Sequence, residues 1–326
     1  MSQPSNDSSP FFRARREGAP DRGGAPQPGL ALSRRAVLGG LVAASALVLA
    51  GCSAPAERAA NARAATTPTP TPTVKPAVSA ITPAQVSVIG QPVTISGAGL
   101  QQVKQVTFGS ATVPVTSASA DQVVVAAPPA ADYQPAAVNV SLIGADGAPV
   151  VTEASGLKYT TTGGVGAQMQ YALAHWHDYN TAVYGNLNPV GGDCANFVSQ
   201  TLVARGWPMT DQWYNHDAAA SWGSAWGYVP AMDEYFASNA SALGLEKLGS
   251  DQASRAKVRL GDVGIFFWGD DTVADHTQVV DKIEVVNGQY KISMASHNDD
   301  YAFRDLDTTI TVQHPNSTMH FWHLTR

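Results

Sequence analysis

Cysteine and charge are both scarce in this sequence of 326 residues. Only two cysteines occur, Cys52 and Cys194, so a disulfide-rich scaffold is excluded. A disulfide bond between the two cysteines is compatible with their number, but they lie in segments of very different composition and each fits a separate role. Charged residues make up 14% of the chain and the net charge is −6. This balance argues against a nucleic-acid partner, which calls for a basic face.

A hydrophobic run long enough for a comfortable membrane span is missing from the N-terminal region. The apolar run at residues 36–51 covers 16 residues, whereas a spanning helix needs about 20. Arginines crowd the segment before it, including the pair Arg34 and Arg35. A basic stretch followed by a short apolar run is typical of an export signal. An uncleaved anchor helix is the alternative, and both place the following domains outside the membrane.

The segment at residues 66–76 reads TTPTPTPTVKP and contains no pattern compatible with a helix. Proline at alternate positions favours the extended polyproline II conformation, which acts as a semi-rigid spacer. We therefore assign residues 1–52 to an export signal and residues 53–77 to a Thr/Pro-rich linker.

Residues 78–160 consist of short runs in which Val, Thr and Ile alternate with polar residues. Gly, Pro and Asp interrupt these runs at short intervals, and Asp146-Gly147 is a plausible tight turn. The spacing predicts an all-β sandwich. No cluster of ionisable residues indicates catalysis in this domain, so it is expected to be a spacer or a ligand-binding module.

Residues 161–326 differ in composition, and residues 191–200 read GGDCANFVSQ. Two glycines allow a sharp turn, Asp193 is a good N-cap residue, and the apolar spacing then predicts a buried helix that ends before Gly206. Cys194 would lie in its first turn. There the helix dipole would lower the thiol pKa from about 8.5 towards roughly 3.5–7.5 and so favour a nucleophilic thiolate. A buried, inert cysteine is the alternative.

The C-terminal half of this domain predicts a hairpin that begins at His276. Apolar strand patterns flank Asn287-Gly288, a strong turn signal. If these two residues are the centre of the turn, His276 lies opposite Asp299, and His297 is one diagonal step away on the same face. Asn298 would then point to the other face. A bulge in the hairpin would shift the register by one residue and make Asn298 a candidate partner of His276 again.

The remaining histidines and the aromatic residues give weaker signals. His320 and His323 lack a carboxylate or second cysteine to complete a zinc set, so we expect no metal and no cofactor. Five aromatic residues between the Cys194 helix and Val263 are candidates for a cleft wall or for the core. They are Trp207, Trp213, Trp222, Trp226 and Tyr228.

Four segments resemble known export signals or protein families. Residues 49–52, LAGC, resemble a lipobox that would make Cys52 a lipidated residue, and Ser33-Arg34-Arg35 resembles a twin-arginine signal, with the ordinary secretory route as the alternative. Residues 78–160 resemble an IPT/TIG immunoglobulin-like domain, through 81–83 (ITP), 94–100 (TISGAGL), 106–109 (VTFG) and 127–129 (APP).

Residues 191–200 resemble the signature of the bacterial putative amidase domain family, in the papain-like group that includes NlpC-type cell-wall peptidases. This resemblance continues through Trp213-Tyr214, Ser221-Trp222, Gly261-Asp262-Val263, Asp275-His276 and Ser296-His297.

The amidase resemblance implies a papain-like α+β domain with Cys194 as nucleophile and His276 as base. It places the third, orienting residue at His297, and Asp299 is the alternative. The chain would be a lipid-anchored cysteine amidase or peptidase facing the cell-wall side, with peptidoglycan or another amide as substrate. The rival hypothesis is a surface binding or adhesion lipoprotein whose papain-like domain is inactive or transfers acyl groups.

Overall fold

The structure is a computed structural model that describes residues 74–326, apart from the side chains of residues 152–155. The export signal, Cys52 and the linker up to residue 73 lie outside the described residues. Residues Val74–Arg326 belong to one compact unit. Within this described part, none of the helices has the length and apolar character needed to cross a membrane.

The first domain is a β-sandwich, as the sequence predicts. Its strands are β1 (Ala77–Thr82), β2 (Gln85–Ser87), β3 (Gln91–Ala98), β4 (Val103–Phe108), β5 (Ala111–Pro114), β6 (Ser117–Ala118), β7 (Gln122–Ala127), β8 (Ala136–Gly144) and β9 (Pro149–Thr160). One sheet has the order β1-β3-β7-β6 and the other has the order β2-β9-β8-β4-β5. Alternation along β3 and β7 buries Val93, Ile95, Val123 and Val125 between the sheets. These residues form the core of the sandwich.

The second domain combines helices with a six-stranded antiparallel sheet. Its helices are α1 (Gly163–His175), α2 (Thr181–Tyr184), α3 (Cys194–Arg205), α4 (Ser224–Gly227), α5 (Val229–Leu243), α6 (Gln252–Arg255) and α7 (Leu306–Thr308), the last followed by a π-helical segment, Thr309–Gln313. Its strands are β10 (Asn215–His216), β11 (Ser221–Trp222), β12 (Leu245–Leu248), β13 (Val263–Phe267), β14 (His276–Val286), β15 (Gln289–Ser296), β16 (Tyr301–Asp305) and β17 (Thr318–Leu324). The sheet has the order β12-β17-β13-β14-β15-β16. The domain is therefore a mixed α/β domain.

Helix α3 begins where the glycine pair predicts it. Gly191 and Gly192 have φ of 137° and 138°, values that residues with a side chain rarely adopt, and the helix starts at Cys194. Gly206 ends it in a left-handed conformation. The helix packs on β14, so the turn of the chain before α3 places Cys194 close to the sheet.

The β14–β15 hairpin has the predicted turn but not the predicted register. Val286 pairs with Gln289, so Asn287 and Gly288 are the central turn residues as expected. A bulge then skips Asp281, and Val279 pairs with Ala295. Continued from that pair, the register brings His276 opposite Asn298. The sequence-based register, which placed His276 opposite Asp299, is wrong because an extra residue in one strand shifts every later pair by one.

The two faces of the sheet carry separate cores. Val279 packs in the core that contains Cys194 and Phe197, and Val280 packs in the core that contains Phe266. Because side chains alternate along a strand, His276 shares a face with Val280, whereas Thr277 faces α3. This alternation decides what each candidate catalytic residue can contact.

The two domains make direct contacts at the bulge. The Tyr133 hydroxyl donates a hydrogen bond to the carbonyl oxygen of Asp281 at 2.5 Å. The Gln170 side chain on α1 in turn donates to the carbonyl oxygen of Tyr133 at 2.8 Å. Burial raises the pKa of Tyr133 far above its usual value, so the phenol remains a donor at neutral pH.

Candidate active site

Cys194 occupies the first position of α3 and is 6% exposed. Backbone hydrogen bonds from Thr277 and Ala195 reach its sulfur. The contact with Thr277 places the thiol at the start of β14, beside the residue that follows His276. Two parts of the sequence that are far apart in the chain therefore meet at this thiol.

Burial raises the pKa of the Cys194 thiol to about 11, and the backbone hydrogen bonds lower it by less. The sequence-based expectation of a lowered pKa is therefore wrong for this structure. A helix N-terminus stabilises a thiolate, but removal of the sulfur from water opposes ionisation more strongly. The resting group at neutral pH is a protonated thiol.

His276 begins β14 and is 8% exposed. Its ring lies among aromatic neighbours, with ring centroids 5.6 Å from Trp268 and 6.1 Å from Phe266. Burial lowers the pKa of His276 to about 3, and electrostatic interactions with His314 and Arg304 add to this effect. The imidazole is therefore neutral at physiological pH and has a lone pair that can take a proton.

The thiol and the imidazole approach the start of β14 from different sides. Among the described residues, no hydrogen bond joins Cys194 to His276. The ring projects towards Phe266, and the thiol belongs to the core on the α3 face. Transfer of a proton between them requires the two groups to come within hydrogen-bond reach, and catalytic hydrogen bonds that are long in apo structures often tighten when substrate binds.

His297, the predicted orienting residue, lies on the α3 face and binds other partners. Its Nδ1 is 2.5 Å from Oδ2 of Asp193 and its Nε2 is 2.7 Å from the carbonyl oxygen of His175. A carbonyl only accepts, so Nε2 carries a proton, and Nδ1 shares one with the carboxylate. With both nitrogens engaged, His297 is unable to orient His276 directly. The bulge at Asp281 explains this, since it moves residue 297 to the opposite face from His276.

Asp193 contributes to the site in a way that its sequence context does not suggest. The helix geometry makes it the N-cap, but its side chain makes no capping hydrogen bond. The carboxylate instead accepts from the Leu187 N–H at 2.6 Å and the Asn196 amide at 2.9 Å, besides its bond to His297. It therefore ties the loop before the nucleophile to α3 and to the end of β15.

The two residues after His297 differ in their relation to the site. Asp299, the alternative orienting residue, has a side chain that is 77% exposed and lies 3.8 Å from Arg304, and among the described residues no hydrogen bond joins it to His276. Asn298 accepts a hydrogen bond from the backbone N–H of Asp193 at 2.7 Å. Asn298 therefore supports the loop before the nucleophile from a position just beyond the end of β15, where its φ is 62°.

Ser296 is the residue that contacts His276. Its Oγ lies 3.1 Å from Nε2 of the imidazole. Sequence reasoning missed this residue because the uncorrected register placed position 296 on the opposite face. A polar residue at the end of a strand paired with the histidine strand is the signal that could have identified it.

Most of the aromatic residues between α3 and β13 are core residues. Trp213 and Trp226 are fully buried, and their indole N–H groups donate to Ser199 and Asn196 of α3. Trp207 and Trp222 are half-buried, and Tyr228 is 44% exposed. The aromatic cluster thus anchors α3, and Tyr228 is its most exposed member.

His320 and His323 each pair with a carboxylate rather than with one another. His320 Nε2 is 2.8 Å from Asp233, and His323 Nδ1 is 2.8 Å from Asp262. The two aspartates belong to different parts of the domain, α5 and the turn before β13. Both histidines therefore link the strand β17 to neighbouring segments.

Comparison with known families agrees with this domain order. Residues 165–322 match the family described as "Putative amidase domain", and residues 76–160 match the IPT/TIG domain. The first of these descriptions indicates amide hydrolysis by the mixed α/β domain. No curated protein shows significant similarity to the chain.

Some solved structures show a limited similarity to this chain. A Bacteroides ovatus mixed-linkage glucan utilization locus protein, SGBP-B, solved with a heptasaccharide, is 17% identical with a TM-score of 0.19, over 24% of this chain and 21% of its own. Auxiliary nutrient binding proteins from Bacteroides ovatus and Bacteroides thetaiotaomicron are 20% and 19% identical, with TM-scores of 0.21 and 0.23, over 28% of this chain and 22% of each of theirs. The chain thus spans about a fifth of the length of these solved chains.

Proposed function

We propose that the chain is an exported, membrane-anchored cysteine amidase or peptidase with a papain-like, NlpC-type second domain. The observation that carries this proposal is the position of Cys194. Its thiol starts a buried helix, receives backbone hydrogen bonds, and adjoins the strand that begins with a neutral histidine. This arrangement lies within the segment that matches an amidase domain.

The proposed reaction proceeds through an acyl-thioester. His276, neutral at rest, takes the proton of the Cys194 thiol while the sulfur attacks the amide carbonyl carbon. On this proposal, the backbone N–H of Cys194 stabilises the oxyanion. The protonated His276 then gives its proton to the leaving amine, and water hydrolyses the thioester with His276 again as base.

A neutral pair differs from a preformed thiolate–imidazolium pair. With thiol and imidazole pKa values near 11 and 3, both groups stay uncharged across the neutral range. The thiol therefore becomes nucleophilic only when the imidazole removes its proton, a step that depends on the local geometry. Substrate binding would bring the two groups together and exclude water from a site that is already buried.

Cell-wall peptides are the proposed substrate because of the expected location of the chain. The support is the N-terminal sequence, whose lipobox-like end would leave Cys52 lipidated and the Thr/Pro-rich linker as a spacer. On this hypothesis, Cys52→Ser releases the protein from the membrane fraction or leaves the precursor unprocessed. Normal processing and retention of this variant in the membrane would rule out the lipid anchor.

A surface binding protein with an inactive papain-like domain is the second candidate function. The observation that favours it is the closed site, in which the nucleophile and the base are nearly buried and do not hydrogen-bond. Acyl transfer to an amine instead of water is a variant of the first proposal. Consumption of an added amine acceptor would distinguish transfer from hydrolysis.

The decisive experiment is digestion of purified peptidoglycan by the mature chain without its lipid anchor. The proposal predicts fragments with a newly released carboxyl group and amine, identified by mass spectrometry, and their loss in Cys194→Ala. His216→Ala, which changes an exposed histidine of the same domain, is the control and should release the same fragments. Binding to peptidoglycan without any cleaved amide bond would favour the second candidate function.

A further inference from the structure

Ser296 has three polar groups within reach of a single hydroxyl. Its Oγ lies 3.1 Å from Nε2 of His276, 3.1 Å from the carbonyl oxygen of Thr277 and 2.8 Å from the carbonyl oxygen of His297. The residue is fully buried at the end of β15. A water molecule therefore cannot easily replace one of these hydrogen-bond partners of the Ser296 hydroxyl.

The donor and acceptor capacities of these groups decide the direction of each hydrogen bond. A serine hydroxyl has one proton and two lone pairs, whereas a carbonyl oxygen only accepts. If the hydroxyl donated to His276, its oxygen would face two carbonyl oxygens with no proton between them. The proton is better placed towards a carbonyl, and the shorter distance favours that of His297. The serine oxygen then accepts from Nε2–H of His276.

We propose that Ser296 is the positioning residue that holds His276 as the Nε2–H tautomer and leaves the Nδ1 lone pair free for the Cys194 proton. Among the described residues, Nδ1 of His276 has no hydrogen-bond partner, which agrees with this assignment. The use of Nδ1 in catalysis rests on the function proposed above, whereas the tautomer itself does not. Ser296 thus takes the role of orienting His276 that the sequence analysis expected of the adjacent His297.

The same hydrogen bond persists when His276 takes up a proton. Nε2 carries hydrogen in both the neutral and the charged ring, so the serine oxygen accepts throughout the cycle. A hydroxyl stabilises the charged ring less than a carboxylate would. The imidazolium formed during attack is therefore expected to return its proton readily to the leaving amine.

Nitrogen-15 NMR of the His276 imidazole tests the tautomer in the wild-type chain without any assay of activity. The proposal predicts the Nε2–H pattern at neutral pH, with Nδ1 unprotonated. The Nδ1–H pattern would overturn it. If the predicted pattern is found but Cys194→Ala retains full turnover, the proposed function fails and the tautomer assignment stands.

Variants of Ser296 test its role separately from its packing. Ser296→Ala is expected to give a mixture of tautomers and to lower kcat about 10- to 100-fold with little change in KM, a small part of the usual effect of acid–base catalysis. Ser296→Thr keeps the hydroxyl and should restore the Nε2–H tautomer and the wild-type kcat. Ser241→Ala, which changes an exposed serine of α5, is the matched control. An unchanged tautomer and kcat in a folded Ser296→Ala variant would overturn the proposal, and the wild-type spectrum decides if the variants do not fold.

Discussion

The Cys194 thiol is subject to two opposing effects at the scale of a single residue. The first turn of α3 directs backbone N–H groups towards the sulfur, which favours the thiolate. Burial favours the neutral thiol and outweighs them, so the pKa rises to about 11. The sequence could predict the helix and the first effect. It could not predict the second, because burial depends on contacts with Thr277 and other residues far away in the chain.

The pH dependence of alkylation follows from this pKa. Only the thiolate reacts with iodoacetamide, and its fraction rises about tenfold per pH unit below the pKa. We therefore expect the alkylation rate of Cys194 to increase steeply between pH 7 and pH 10, as followed by mass spectrometry. A rate that reaches its plateau by pH 7 would show that the thiol pKa is not raised.

The alkylation rate of Cys194 does not by itself distinguish an active domain from an inactive one. Slow reaction of Cys194 at neutral pH is predicted for an active enzyme with a neutral resting pair as well as for an inactive domain. A free thiol peptide, with a pKa of about 8.5, is the appropriate reference for the rate. Turnover, and not thiol reactivity, must decide between the two candidate functions.

The β14–β15 hairpin shows at the scale of the element why the site was only partly predicted. The turn at Asn287-Gly288 has a strong local signal, and the structure confirms it. The bulge at Asp281 has no such signal, and the hydrogen bonds of that residue are with Tyr133 and Phe303, which are distant in the sequence. Because of this one extra residue, Ser296 lies on the same face of the sheet as His276, and His297 lies on the opposite face. Ser296 and not His297 is therefore within reach of His276.

The Asp193–His297 pair joins the loop before α3 to the end of β15. Both side chains are fully buried, and His297 also stacks on Tyr179 at 3.6 Å and on Phe197 at 4.3 Å between ring centroids. Removal of one partner leaves the other buried without its proton-sharing neighbour. His297→Ala should therefore lower the free energy of unfolding by about 3–5 kcal/mol, measured by denaturant unfolding.

The control for this prediction is again His216→Ala, which should change the free energy of unfolding by less than about 0.5 kcal/mol because the side chain is exposed. If His297→Ala is as stable as this control but loses turnover, His297 acts in catalysis and not in holding the loop. Such a result would restore the sequence-based role of His297.

At the scale of the whole molecule, the sandwich and the second domain share a continuous core. The sandwich residues Val86 and Val88 belong to the same cluster as Met169 and Ala172 of α1. A side chain at Gly166 of α1 would come within 2.9 Å of Val88, so the glycine permits close packing. The sequence predicted two domains in this order, but composition alone gave no indication of how closely they pack.

Removal of the sandwich should therefore destabilise the second domain. A chain that begins at Gly163 loses the contacts of Tyr133 and Val88 and exposes apolar surface of α1, so its Tm should fall relative to a chain that begins at residue 74. Differential scanning calorimetry measures both. Equal Tm values would show that the sandwich is an independent spacer.

The proposed function requires that Cys194 and His276 act as one catalytic unit, and the kinetics of a double variant test this requirement most directly. The measurement is kcat/KM on a peptidoglycan fragment for Cys194→Ala, His276→Ala and the variant with both changes. Residues that act as a unit have non-additive effects. We predict that each single change removes nearly all activity and that the double variant is no worse than either. Substantial turnover by Cys194→Ala, or losses that multiply in the double variant, would contradict the shared role of these two residues.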